Sequence, residues 1–174
     1  MAQENSFWKE LQETIMRKRT RLASALLAAI FVFAALKPSY ALFDKTRFVA
    51  HLGVAFFAFH HFVSQPYKAG AFEANAPHRT KAIVKGGAAL LFALHEVKVA
   101  NRIAHKSSSP MLQALAGKLD AMETSFAGVG KKFKSGSYDP KDVPALDGTV
   151  TDVGKSSAGA GAPIKDVPVA IPGT

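Results

Sequence analysis

Cysteine is absent from this chain, and its absence narrows the chemistry that the protein can perform. Disulfide bridges, thiolate metal ligands, a cysteine nucleophile and haem attached through cysteine are all excluded. Glycine-rich phosphate loops, the Gly-x-Ser-x-Gly elbow, the His-Glu-x-x-His zinc helix and Asp-rich calcium loops are missing too. Carboxylates are few between residues 42 and 134, and no pair is spaced for acid–base catalysis. We therefore expect a protein that is not an enzyme, with no catalytic, cofactor-binding or metal-ligating residues.

Negative charge is also scarce, and positive charge is unevenly distributed. The chain has 22 Lys and Arg against 13 Asp and Glu, a formal net charge of +9 at pH 7. Residues 1–41 carry +3, residues 42–134 carry +8 and residues 135–174 carry −2. The basic middle region indicates an anionic partner, either phospholipid headgroups or a cell-wall polymer, unless it is simply a solvated surface. No nucleic-acid-binding motif accompanies the charge, so nucleic acid is not expected as a partner.

Residues 17–41 have the three parts of a secretory signal. A basic stretch comes first, an uncharged apolar run of 15 residues follows, and a short polar stretch ends the segment. Ser39 and Ala41 supply small side chains at the −3 and −1 positions, so we predict cleavage after Ala41, with Pro38 ending the helix ahead of the cut. Either Met1 or Met16 is the translation start, and Met16 would give a signal of conventional length.

An uncleaved membrane anchor over residues 22–43 is the main alternative to a cleaved signal. The apolar run, residues 22–36, would make a helix of roughly 22 Å, shorter than the ~30 Å hydrocarbon core. A buried core helix is a third alternative, and the basic residues in front of the run argue against it. We therefore expect export, with the protein in the medium or associated with the cell envelope.

Two hydrophobic segments follow the signal. Residues 48–63 carry no charge and are apolar all round, which is typical either of a central bundle helix or of a membrane span over residues 48–65. Its three histidines favour the bundle, so we predict a core helix over residues 44–65, ended by Pro66. Residues 79–105 are amphipathic and predict a second helix that folds back on the first.

The histidines are the only candidate chemistry. In an antiparallel hairpin that turns at residues 72–73, His51 comes level with His95, an arrangement in which helical bundles hold haem or a metal ion. No carboxylate lies on the same side of the helix to complete a metal site. We therefore favour a structural role for both histidines and keep a bis-His haem or metal protein as a less favoured alternative.

A third helix is predicted over residues 110–130 by an apolar a/d stripe. The stripe repeats at alternating steps of three and four residues: Leu112, Leu115, Leu119, Met122, Phe126, Val129 and Phe133. We favour packing of this helix on the hairpin. The alternative is an interface for a helix of another protein, formed by Leu112, Leu115, Leu119, Met122 and Phe126.

From residue 135 the composition changes to Ser, Gly, Pro, Asp and Ala, which predicts a flexible tail over residues 135–174. One weak apolar series within it is compatible with a short helix: Val143, Leu146, Val150 and Val153.

Several segments together resemble small, uncharacterised secreted or envelope proteins of high-GC Gram-positive, actinobacterial type. These are the signal at residues 17–41, the segment 48–68 with His60-His61-Phe62 and Pro66-Tyr67-Lys68, and the Ala/Gly/Ser-rich C-terminal segment. The resemblance implies export and no activity. We therefore expect an all-α fold with a signal or anchor at residues 1–41, a three-helix domain at residues 42–134 and a disordered tail. Its expected function is non-enzymatic binding to anionic lipid or wall polymer, and an integral membrane protein is the alternative.

Overall fold

The computed structural model describes residues 37–139 and 141–174, with side chains described from Leu42 onward. Residues 41–174 form a unit of their own, and the packing of this unit is described below. All regular structure in the described residues is helical, so the predicted all-α class is confirmed for them. The basic stretch and the apolar run of the predicted signal, within residues 1–36, lie outside the described residues.

Helix α1 contains the uncharged segment predicted to lie at the centre of the fold. It is α-helical over Lys37–Phe59, π-helical over His60–Ser64 and α-helical again over Gln65–Lys68. The prediction that Pro66 ends this helix is wrong. In the wider π turn the Gln65 N–H donates to the carbonyl of His60, directly before a proline that has no N–H to donate. The helix therefore accommodates Pro66 and continues beyond it.

The residues around the predicted cleavage site also differ from the sequence-based expectation. Pro38 was expected to end a helix ahead of a cut after Ala41, but residues 38–41 are helical and lie within α1. The ring of proline fixes φ near −65°, a value that a helix accepts. Pro38 therefore lies in the first turn of α1, and the helix that it was predicted to end, within residues 22–36, lies outside the described residues.

Helix α2 spans Arg79–Lys106 and folds back along α1 after a loop that ends at His78, whose φ of 58° is left-handed. The predicted bounds, 79–105, are confirmed to within one residue. Gly86 permits close packing against the π turn, because a Cβ there would lie 3.3 Å from the carbonyl oxygen of Phe62 and from the rings of Phe72 and Phe133. The two helices of the hairpin are therefore closely packed next to the loop that connects them.

Helix α3 spans Pro110–Ser135 and ends at Gly136, which has a positive φ of 72°. It is one turn longer than predicted. All seven residues of the a/d stripe are buried within the chain: Leu112, Leu115, Leu119, Met122, Phe126, Val129 and Phe133. The stripe is thus the surface by which α3 packs on the hairpin, and the five residues considered for a partner helix are not presented to another chain.

A fourth helix, α4, occupies Asp142–Gly159, inside the segment predicted to be a flexible tail. That prediction is wrong, and the domain does not end at residue 134. The weak apolar series supplies the reason, because its four members, spaced three, four and three residues apart, form one buried face: Val143, Leu146, Val150 and Val153. Burying each such side chain contributes about 1.5–3 kcal/mol, which offsets the entropy lost by ordering a Gly-rich helix.

The last residues, 160–174, form an extended C-terminal strap that returns over α1. The Val167 N–H donates to the Gly53 carbonyl at 3.0 Å, and a Cβ on Gly53 would lie 2.4 Å from the carbonyl oxygen of Lys165. His60 Nδ1 lies 2.9 and 3.1 Å from the two carboxylate oxygens of Asp166. Ile171 is buried near the end of the chain, so the strap is part of the folded unit.

The core lies between all four helices and is rich in aromatic side chains. Phe48 and Phe59 of α1 are fully buried, and the ring of Phe59 is 5.7 Å from that of Phe126 on α3. The apolar segment of α1 is therefore covered by protein on several sides, as the bundle alternative predicted. Within residues 37–139 and 141–174, no helix is both long and apolar enough to cross a bilayer.

Candidate anion-binding groove

A groove of about 410 Å³ lies between the first turns of α1 and the last turns of α2. The antiparallel hairpin creates it, because the start of one helix must lie beside the end of the other. Four residues of α2 spaced three, one and three apart form one wall, and two residues of α1 spaced three apart face them. The lining residues are Asp44, Arg47, Val99, Arg102, Ile103 and Lys106.

The groove has an excess of positive charge. Arg47, Arg102 and Lys106 are exposed, Asp44 is half-buried, and none of the four belongs to the six ion pairs formed between described residues. Cations at the end of α2 are favoured by the helix dipole. That preference explains Arg102 and Lys106 without a ligand, but it does not explain Arg47, which lies in the N-terminal half of α1. The three cations together could hold a phosphate or carboxylate group.

Two exposed apolar side chains lie near the start of α1, at the same end of the bundle as the groove. Leu42 and Phe43 are 66% and 63% exposed, the highest values among the large apolar side chains of the described residues. The guanidinium of Arg47 lies over the ring of Phe43, 5.7 Å from its centroid. A cation–π contact of this kind orients the arginine. The groove therefore combines exposed cations with two exposed apolar side chains at one end of the bundle.

The predicted pairing of His51 with His95 is not what the structure contains. His51 Nδ1 donates to Glu96 Oε2 at 2.6 Å, with His51 about one-third exposed and Glu96 mostly buried, while His95 is exposed. The hairpin predicted from the sequence differs from the observed register by one residue. That single residue matters because neighbouring positions on a helix point about 100° apart. His51 thus links α1 to α2 through its hydrogen bond with the Glu96 carboxylate.

No group of three or more His, Asp and Glu side chains in the part of the chain that the structure describes could hold a metal ion. The geometry does not support haem or metal binding by His51 and His95. His51 forms a hydrogen bond with a carboxylate, and His95 lies at the surface.

A polar cluster ties the groove-bearing half of α2 to α3. The buried Asn101 donates from Nδ2 to Asp120 at 2.8 Å and to Glu123 at 3.1 Å, and His105 Nε2 lies 3.1 Å from Asp120. The hydrogen bonds from Asn101 and then His105 hold the pKa of Asp120 below its ordinary value of 3.8. Asn101 and His105 flank Arg102 in the sequence, so the cluster holds against α3 the stretch of α2 that carries Arg102.

A second cavity, of about 270 Å³, lies at the other end of the hairpin and is lined by Tyr67, Lys68, Phe72, Glu73 and Tyr138. Burial raises the pKa of Tyr138 to about 12, and its hydroxyl has no hydrogen-bond partner among the described residues. Phe72 and Tyr138 pack edge to face at 5.6 Å. This cavity is a gap in an aromatic cluster, and no pattern in the sequence indicated it.

Comparison with known proteins adds no relative: no protein-family model, curated protein or solved structure matches the chain. The chemistry of the groove and the sequence are therefore the basis for assigning a function.

Proposed function

We propose that the protein is an exported, non-enzymatic helical protein that binds anionic groups of the cell envelope through the basic groove. The single observation that carries the proposal is the meeting of Arg47, Arg102 and Lys106 in one cavity, with none of them in an ion pair between described residues. The +8 charge of residues 42–134 supports it, because a basic surface attracts an anionic partner from a distance. Envelope anions of suitable chemistry are lipid phosphates and the phosphates or carboxylates of wall polymers.

Binding through the groove is tested by removing the same amount of charge at two places. Arg47→Gln/Arg102→Gln neutralises the groove, and Lys131→Gln/Lys134→Gln removes two exposed charges from the end of α3. Each cation near an anionic surface contributes about 1 kcal/mol, so the groove variant should lose about 30-fold in affinity. The readout is co-sedimentation with phosphatidylglycerol vesicles and with isolated wall material at low salt.

The control variant should bind nearly as well as the wild type. Equal losses in both variants would mean that overall charge, and not the groove, attracts the partner. If the unmodified protein binds neither vesicles nor wall material, the proposal fails.

Export is tested by the intact mass of the protein recovered from the culture medium and from washed membranes. We expect a species in the medium that begins at Leu42. A full-length, membrane-retained species would favour the alternative, an integral membrane protein anchored by residues 22–43. Extraction with alkaline carbonate separates these two states, because it releases a peripheral protein and leaves a spanning one in the membrane.

A further inference from the structure

We infer that the groove binds the headgroup of an anionic phospholipid at a bilayer surface, with Leu42 and Phe43 entering the boundary between headgroups and acyl chains. The inference rests on the proposed function and narrows it from envelope anions in general to a lipid surface. It assigns separate roles to the three cations of the groove and to the exposed apolar pair at the same end of the bundle.

The apolar pair is the observation that favours lipid over a wall polymer. A hydrated polyanion gains binding free energy only from the cations. Two apolar side chains that are 66% and 63% exposed add nothing to that contact. Interfacial binding to a bilayer, in contrast, depends on both buried apolar area and attraction to anionic lipid. Phe43 lies about one helical turn from Arg47 and Leu42 directly precedes Phe43, so the two contributions act at the same end of the bundle.

The contact between Arg47 and Phe43 fits this arrangement. Arginine side chains at an interface extend their charged end towards the headgroups while their alkyl stem remains against apolar surface. Arg47 already lies over the Phe43 ring, so its guanidinium is held beside the apolar pair. Arginine is also suited to phosphate, because its planar group donates two parallel hydrogen bonds.

A competing surface exists elsewhere on the bundle, and the test must discriminate against it. Val84 and Leu91 on α2 are exposed, and Lys131 and Lys134 on α3 are exposed as well. Those lysines lie on one helix, whereas the three cations of the groove come from two facing helices. Lysine also binds phosphate as a point charge, without the paired hydrogen bonds of arginine. We therefore place the lipid at the groove.

The chain offers a direct optical probe of insertion. Its one tryptophan, Trp8, lies in residues 1–41, so Trp8→Phe/Phe43→Trp carries a single indole beside the groove and keeps an aromatic ring under Arg47. Trp8→Phe/Leu91→Trp is the matched control on the competing surface. Both variants are purified as the cells process them, and intact mass shows whether residues 1–41 are still present.

The probes are mixed vesicles of phosphatidylglycerol and phosphatidylcholine, with brominated acyl chains on one lipid or on the other. We expect the indole emission of Trp8→Phe/Phe43→Trp to shift to shorter wavelength and to be quenched at least twofold more strongly when phosphatidylglycerol carries the bromine. Neutralising the groove with Arg47→Gln/Arg102→Gln should abolish that difference, and Trp8→Phe/Leu91→Trp should show neither effect. Selective quenching identifies the lipid bound beside the groove whether or not residues 1–41 have been removed.

The apolar contribution has its own test. Leu42→Ser/Phe43→Ser should weaken vesicle binding about tenfold or more and leave binding to wall material unchanged, whereas Val84→Ser/Leu91→Ser should change vesicle binding less than about twofold. Unshifted emission from the indole at position 43, or equal quenching by the two brominated lipids, would overturn the inference. If the protein then still binds vesicles or wall material through the groove, the proposed function stands. If it binds neither material, the proposed function fails as well.

Discussion

Gly53→Ala is the substitution that most sharply tests how the C-terminal strap is attached to α1. A Cβ at this position would lie 2.4 Å from the carbonyl oxygen of Lys165 and 2.8 Å from a methyl carbon of Val167. Carbon and oxygen approach to about 3.3–3.6 Å, so the strap must retreat by roughly 1 Å. That retreat breaks the 3.0 Å hydrogen bond from the Val167 N–H to the Gly53 carbonyl.

The magnitude follows from two costs and one gain. Overpacking of this kind costs about 1–3 kcal/mol and the lost hydrogen bond about 1 kcal/mol, while alanine in a helix interior gains about 1 kcal/mol over glycine. We therefore expect Gly53→Ala to lower the free energy of unfolding by about 1–3 kcal/mol in chemical denaturation. The amide of Val167 should also exchange its hydrogen with solvent much faster than in the wild type.

Gly117→Ala is the matched control, because a Cβ there meets nothing within 4 Å on the exposed side of α3. It should gain the helix-propensity contribution alone and raise the free energy of unfolding by about 0.5–1 kcal/mol. If both substitutions stabilise the protein equally, the strap does not lie against Gly53 and the reasoning is refuted.

Three further substitutions probe other parts of the fold. Tyr138→Phe removes a buried hydroxyl without a partner among the described residues, so denaturation should show unchanged or slightly higher stability, and a loss above ~1 kcal/mol would mean that the hydroxyl has a partner. For Asp120, whose pKa is lowered on folding, the stabilising contribution is fully present above pH 3.8 and is lost as the pH falls through the lower folded-state value. The stability difference between wild type and Asp120→Asn should therefore shrink as the pH falls below 3.8; a difference unchanged down to about pH 2 would contradict this. Phe126→Ala opens a cavity beside Phe59 and should cost about 3–5 kcal/mol, and a cost under ~1 kcal/mol would place the ring outside the core.

Helices α2 and α3 could be predicted from the sequence, and α4 could not. The stripe from Leu112 to Phe133 and the amphipathic pattern of α2 are local signals, and both helices form where these signals indicate. Helix α4 has two interior glycines, Gly148 and Gly154, and many polar residues. It is ordered because Val150 and the other apolar residues on its buried face pack against the rest of the bundle. The composition of a segment indicates how much conformational entropy it loses on folding. It does not reveal the tertiary contacts that offset this cost.

The groove illustrates a second limit of sequence-based prediction. Arg102 and Lys106 are four residues apart on α2, but Arg47 is distant in the sequence, and only the register of the hairpin brings it to them. The same register decides that His51 contacts Glu96 and not His95. Helix periodicity predicts which side of a helix a residue lies on. It does not fix the facing residue on another helix to better than about one position, and a site formed by two helices requires that precision.

Lysine labelling in the presence and absence of the anionic partner tests the central claim most directly, because one molecule contains both the site and its controls. An amine-reactive reagent is applied to the protein alone and to the protein with phosphatidylglycerol vesicles or wall material, and the modified lysines are quantified by peptide mass. Lys106 in the groove, and Lys131 and Lys134 at the end of α3, are all exposed in the free protein. We predict that labelling of Lys106 falls several-fold on binding while labelling of Lys131 and Lys134 is unchanged. Protection of Lys131 and Lys134 with Lys106 still labelled, or equal protection of all three, would contradict binding through the groove.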